Sequence, residues 1–165
     1  MNLGQLQSEI AANPGIWRPS VFTNGCFDLI HPGHVRYLHA AKSLGKTLIV
    51  GLNSDRSVRG IKPPKPGQPE RPIVTAAHRA EVLAALKSVD AVVIFDDLTA
   101  CNIIAALQPD IYVKGGDYSI DNLPEAATVK AYGGQIQLIQ VEIPTSTTAI
   151  IQKILQINGS RSENP

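Results

Sequence analysis

Cysteine is nearly missing from these 165 residues: Cys26 and Cys101 are the only two, and they lie far apart. Two such residues make no disulfide framework, so a reducing setting, the cytoplasm, is expected. An excess of one charge sign is also missing. Fifteen Lys and Arg stand against 14 Asp and Glu, a formal net charge of +1. That balance gives no global basic field for nucleic acid and no acidic excess that would suggest disorder, so any affinity for phosphate must be local. No run of about 18 consecutive apolar residues occurs, and Met1 to Arg18 carries no basic segment followed by an apolar one. Neither a membrane span nor an export signal is expected.

What is present suits one globular unit. The chain is 44% hydrophobic, enough for one substantial core and too short for two ordinary domains. From Ser20 onward, short β-branched runs alternate with segments of helical period, the pattern of a parallel sheet covered by helices. Strands are expected at Val21 to Asn24, Thr47 to Asn53, Ala91 to Phe95, Ile111 to Lys114 and Ile136 to Val141. Helices are expected at Gly33 to Leu44, Ala76 to Lys87, Thr99 to Leu107, Leu123 to Tyr132 and Ser146 to Ile157. Gly45, Thr75, Gly133-Gly134 and Ser146 or Thr147 supply stop and start signals at their ends. The fold class expected is α/β: a Rossmann-like, doubly wound, five-stranded parallel sheet with helices on both faces. Residues 20–157 would form the domain, with a peripheral N-terminal arm at 1–19 and a C-terminal tail at 158–165.

Connections in such sheets are short, and Asp55 to Val74 is not. Its prolines at 63, 64, 66, 69 and 72 argue against a helix or a central strand. After Asp55 itself, Arg56, Arg59, Lys62, Lys65 and Arg71 face Glu70 alone. One reading is a solvated linker. The other is a cationic flap over a polyphosphate, because the segment leaves the carboxyl end of a strand, where open α/β sheets bind ligands.

The strongest chemical signal runs from Asn24 through Gly25, Cys26, Phe27 and Asp28 to His31-Pro32-Gly33-His34. It falls between the first strand and the first helix. Gly25 lets the chain turn off the strand, and Gly33 lets a ligand approach the backbone at a helix N-terminus. Histidines three apart can both face one phosphate across the first turn and stabilise charge that grows as a phosphoanhydride bond breaks. A metal site would need further ligands, and His39 and His78 stand at no recognisable ligand spacing, so none is expected. A second hydroxyl cluster, Thr145-Ser146-Thr147-Thr148, opens the last helix and could cap it or bind an anion beside the first. Lys114-Gly115-Gly116-Asp117-Tyr118 follows the fourth strand, as a plain turn or as a loop whose backbone reads a base.

His31-Pro32-Gly33-His34 after Gly25-Cys26-Phe27-Asp28 resembles the H-x-G-H signature of the cytidylyltransferase-like nucleotidyltransferase superfamily, along nearly the whole chain. Asn24 to Asp28, Asn53-Ser54-Asp55, Val113 to Tyr118 and Ser146-Thr147-Thr148 are most similar to the adenylyltransferase domain of the bifunctional ADP-heptose synthases. The kinase half usually fused to that domain is not in the chain, so the resemblance is to a stand-alone adenylyltransferase. It implies transfer of AMP from ATP to heptose 1-phosphate, giving ADP-heptose and pyrophosphate, with Mg²⁺ held through the nucleotide phosphates and the protein as a homodimer.

The residues it implies are His31, His34 and Lys62 for catalysis. For the nucleotide they are Gly25, Cys26, Phe27, Gly33, Arg79, Gly115, Gly116, Asp117, Ser146, Thr147 and Thr148, and for the substrate Asp28 and Asp55. Related cytidylyltransferases carry an Arg-Thr-Glu-Gly run where Val141 to Pro144 stand here. The nearest rival keeps the chemistry and uses CTP with glycerol 3-phosphate or phosphoethanolamine. A class I aminoacyl-tRNA synthetase fragment is disfavoured, since no Lys-Met-Ser-Lys-Ser run is present. A sensor without turnover would have to lose a donor, and both histidines are retained.

Overall fold

The structure is a computed structural model in which residues 2–64, 66–116, 119–140 and 145–159 are described. Lys65, Asp117, Tyr118, the Val141 to Pro144 segment and residues 160–165 of the expected tail lie outside the described residues. The elements run α1 (Leu3–Ala12), α2 (Pro14–Trp17), β1 (Ser20–Gly25), α3 (Pro32–Lys42), β2 (Thr47–Asn53), α4 (Asp55–Ile61), α5 (Ala76–Ala84) and β3 (Ala91–Phe95). Then follow α6 (Cys101–Leu107), β4 (Ile111–Gly115), a 3₁₀ turn (Ile120–Asn122), α7 (Ala126–Ala131), β5 (Gln135–Ile139) and α8 (Thr147–Gly159).

All four strand pairings are parallel and the order is β3-β2-β1-β4-β5. This is the expected Rossmann-like, doubly wound sheet, with its switch point between β1 and β4. β2 is buried along its whole length, as a central parallel strand covered on both faces requires, and its sequence Thr47-Leu48-Ile49-Val50-Gly51-Leu52-Asn53 is accordingly a near-continuous apolar run.

Strand alternation divides the core in two. Phe22, Ile49, Val93 and Tyr112 face one layer, with Leu6, Trp17, Ile104 and Val129 from α1, α2, α6 and α7. Val21, Leu48, Val50 and Val113 face the other, with Leu38, Ala41 and Leu83 from α3 and α5. Because neighbours along a strand point to opposite faces, residues at the tips of β1 and β4 are also sorted between the two sides.

Two expectations are corrected. The segment expected as a peripheral arm closes one face of the core: Leu6 and Ile10, four apart on α1, are 0% and 6% exposed, and Trp17 is 8%. A capping box between Asn2 and Gln5 starts that helix. The long connection after β2 also contains a helix. α4 fills the span before Pro63, started by Ser54, whose hydroxyl accepts from the Ser57 N–H. Prolines exclude helix only where they stand, and here they begin after the helix has ended.

Candidate active site

A cleft of about 790 Å³ opens at the carboxyl ends of β1 and β4, the switch point where ligands bind in open α/β sheets. Its near wall is the turn from β1 into α3. Phe27 takes a left-handed φ of 44° there, rare for a residue with a large side chain. A Cβ on Gly25 would stand 3.0 Å from the Phe27 ring, so the glycine makes room for the turn. His31 is the N-cap of α3, and its Nδ1 accepts from the Gly33 N–H at 3.2 Å.

His31 and His34 both line the cleft. Their ring centroids are 3.9 Å apart at 35°, and the Phe27 ring lies 5.3 Å from that of His34. Burial lowers the His31 pKa. Burial and then the neighbouring His31 lower that of His34 to about 4. Two cations this close would repel, so at neutral pH the pair offers neutral N–H donors. With Nδ1 accepting from the backbone, neutral His31 carries its proton on Nε2. His34 Nδ1 is buried without a hydrogen-bond partner.

Behind this wall the expected nucleotide arginine is committed to the fold. Arg79 is 1% exposed: its guanidinium donates to the Cys26 and Val74 carbonyls and pairs with Asp55 at 2.8 Å. It braces the turn that carries the histidines and does not line the cleft, a correction to the expected nucleotide contact. Asp28 is corrected in the same way. It is 4% exposed, accepts from the Ile73 and Val74 N–H groups at 2.8 to 2.9 Å and pairs with Arg71. The expected substrate ligand therefore anchors the far end of the cationic segment. Asp55, in the first turn of α4, is Arg79's partner and is likewise absent from the lining.

Lys62, the C-cap of α4, does line the cleft. Arg59 and Arg56 instead pair with Glu70 and Asp96 at the surface. Cys26 lines the cleft too, and burial raises its thiol pKa against the pull of Lys62, Arg79 and Arg71. This is no activated nucleophile.

On the other side stand Gly115 and Gly116, the latter with φ 105°. A Cβ on Gly115 would meet the Tyr37 ring at 2.8 Å. α8 opens against the histidine turn, with Thr147 Oγ1 donating to the Leu29 carbonyl at 3.4 Å. Ser146 caps the helix through the Ala149 N–H. Of the hydroxyl cluster it is Thr145 that lines the cleft; Ser146, Thr147 and Thr148 do not. Among the described residues, no group of three or more His, Cys, Asp or Glu side chains is placed to hold a metal ion, and no helix is long and apolar enough to cross a membrane.

Sequence reasoning assigned no role to Asn24, Lys114 and Glu125, all of which line the cleft. Asn24 Oδ1 accepts from the Tyr112 hydroxyl at 2.9 Å and from Lys114 Nζ at 3.2 Å. Burial lowers the Lys114 pKa, opposed by Glu125 and Cys26. The signal that could have found the first two was alternation: Asn24 and Lys114 take the opposite side of their strands from Thr23 and Gly115.

A parallel 3-2-1-4-5 sheet with its cleft at the switch point, flanked by the openings of α3 and α8, defines a Rossmann-like domain with a nucleotidyltransferase-type fold. The cytidylyltransferase-like family model matches residues 22–153, and the chain belongs to that family. It is 46% identical over 158 residues to the bifunctional protein HldE of Geobacter sulfurreducens, covering 96% of this chain and 31% of that protein. To the protein of the same name from Citrifermentans bemidjiense it is 49% identical over 154 residues, covering 93% and 31%. The chain thus spans about a third of the length of these curated relatives. Among solved structures, the lipopolysaccharide core biosynthesis protein from Thermoplasma volcanium shares the fold, with a TM-score of 0.59 at 24% identity over 76% of this chain and 97% of that one.

Proposed function

We propose that this chain transfers AMP from ATP to heptose 1-phosphate, releasing pyrophosphate and forming ADP-heptose. The observation that carries nucleotidyl transfer is the paired, neutral His31 and His34 at the opening of α3, 3.9 Å apart and lining the cleft. Adenine and heptose are supported by similarity to the bifunctional HldE proteins across 96% and 93% of the chain.

The sugar phosphate oxygen is anionic near neutral pH and needs positioning, not a general base. It attacks the α-phosphorus in line, a new P–O bond forms, and the bond to the β-phosphate oxygen breaks as pyrophosphate leaves. His31 and His34 donate to the α-phosphate as charge grows on its oxygens, and Lys62 attracts the triphosphate from above the cleft. The glycine-lined edge at Gly115 and Gly116, with Gly33 opposite, lets backbone N–H groups approach the nucleotide. Mg²⁺, which the resemblance implies is held through the nucleotide phosphates, would supply neutralisation of part of the triphosphate charge. Asp28, Asp55 and Arg79 position the histidine turn and the flap. A homodimer and a cytoplasmic setting belong to the same proposal and rest on the resemblance and on cysteine usage.

Mass analysis of the products formed from heptose 1-phosphate, and separately from glycerol 3-phosphate, with Mg²⁺ and each of ATP, CTP, GTP and UTP tests this. ADP-heptose with ATP is expected. A CDP product from glycerol 3-phosphate, with no ADP-heptose, would replace these substrates and leave the histidine chemistry standing.

A further inference from the structure

The cleft has two halves, because the tips of β1 and β4 send alternate side chains to opposite faces of the sheet. Thr23 and Gly115 face α3: Thr23 Oγ1 lies 2.7 Å from the Tyr37 hydroxyl, and Gly115 is backed by the Tyr37 ring. The histidines occupy that half. Asn24 and Lys114 face the α6 and α7 side and meet there at 3.2 Å. Glu125, just before α7, completes this second half. It is 2% exposed, and its Oε1 accepts from the Ala100 N–H at 3.1 Å. Its Oε2 is buried at the cleft near the Tyr112 hydroxyl, whose one proton goes to Asn24 at 2.9 Å, so Oε2 is left without a hydrogen-bond partner. A buried acceptor without a partner is costly and rare in native proteins, and is commonly met by something that binds.

The chemistry of this half identifies what fits. The Asn24 oxygen is already taken by Tyr112 and Lys114, so Asn24 can meet a ligand only through its NH₂ group. An unsatisfied carboxylate oxygen therefore stands beside an amide donor, the NH₂ group of Asn24. A phosphate would be repelled by Glu125. Hydroxyl groups, each both donor and acceptor, suit the set.

Resting on the nucleotidyl-transfer reading, we propose that this half of the cleft binds the acceptor sugar, and that Glu125 is its specificity-determining residue, accepting a hydrogen bond from a sugar hydroxyl. The triphosphate then lies on the α3 side and the sugar on the α6–α7 side, with the reacting phosphates between them. A site built to pair a hydroxyl rejects an analogue lacking it, because the buried partner is stranded.

The test uses the full chain with ATP, Mg²⁺ and heptose 1-phosphate. Glu125→Gln keeps an oxygen for the Ala100 N–H and replaces the second oxygen with a donor. It should raise KM for the sugar phosphate by about tenfold or more, with KM for ATP within about twofold and the melting temperature unchanged. Wild type should discriminate by a similar factor against one single-deoxy sugar 1-phosphate, and Glu125→Gln should not. A variant with unchanged sugar KM, or with ATP KM raised instead, would overturn the proposal. If Glu125→Gln fails to fold, wild type decides: equal kcat/KM across every deoxy analogue overturns the subsite. A wild-type chain that turns over no sugar phosphate at all overturns the parent reading and the subsite with it.

Discussion

The imidazoles of His31 and His34 lie 3.9 Å apart between ring centroids, with the Phe27 ring 5.3 Å from that of His34. This close, tilted pairing sets two donors side by side at a helix opening, and burial with mutual repulsion disfavours their protonation. His34→Ala is expected to lower turnover by about a hundredfold, since the lost donor acts in the transition state. Circular dichroism and a melting curve should show the fold retained. Near wild-type turnover would remove His34 from the chemistry.

The same pair gives a pH signature. Burial and His31 hold the His34 pKa at about 4, below its ordinary value of 6.5. Between those values the unfolded chain binds a proton that the native chain does not, so stability rises with pH across that window and is lost as pH falls from 6.5 towards 4. His34→Gln should flatten this dependence. Equal melting-temperature slopes for variant and wild type between pH 4 and 6.5 would contradict it.

Arg79 shows how far a family resemblance reaches. It implied a nucleotide ligand at this position, yet the partners of Arg79 are the Cys26 and Val74 carbonyls and Asp55. Arg79→Ala leaves Asp55 and two carbonyls without their donor and should cost about 3 kcal/mol of stability, measured by urea unfolding. A loss of activity without loss of stability would return Arg79 to the ligand.

The strands and the histidine turn were legible because each is a local pattern: β-branched runs for β1 to β5, and glycines and histidines at fixed offsets from Gly25 to His34. Residues paired across long separations were not. Asp28 meets Arg71 and the Ile73 and Val74 amides from 43 residues away or more, and nothing local marks a carboxylate as already satisfied. Glu125 was hidden for the same reason, since its partner Ala100 is 25 residues upstream. α4 was missed because the prolines after it were allowed to speak for the residues before them. α1 went unread because its apolar positions, Leu6 and Ile10, find their partners only when α6 and α7 are in place.

The core role of that first helix is directly testable. Leu6 is 0% exposed and packs in the cluster that includes Phe22, Ile104 and Val129. Leu6→Ala should destabilise the chain by about 3 kcal/mol through lost burial and a cavity. An unchanged urea midpoint would show that the helix does not contribute to the core.

The cationic segment is anchored at one end by Asp28 and Arg71, and at the other Lys62 lines the cleft. If it closes over bound triphosphate, amide exchange at Gly67, Gln68 and Glu70 should slow on adding ATP and Mg²⁺. Trypsin is a poor probe here, since Lys62, Lys65 and Arg71 each precede proline. Lys62→Ala should lower kcat/KM by about tenfold or more. Exchange that ignores nucleotide would leave only a solvated linker.

The central claim is the reaction itself, and one measurement reaches it most directly: pyrophosphate release and sugar-nucleotide mass, from this chain with heptose 1-phosphate, Mg²⁺ and ATP. ADP-heptose and pyrophosphate in equal amounts, abolished by His31→Ala combined with His34→Ala, is the predicted result. ATP bound but unreacted with every sugar 1-phosphate and alcohol phosphate offered would contradict it.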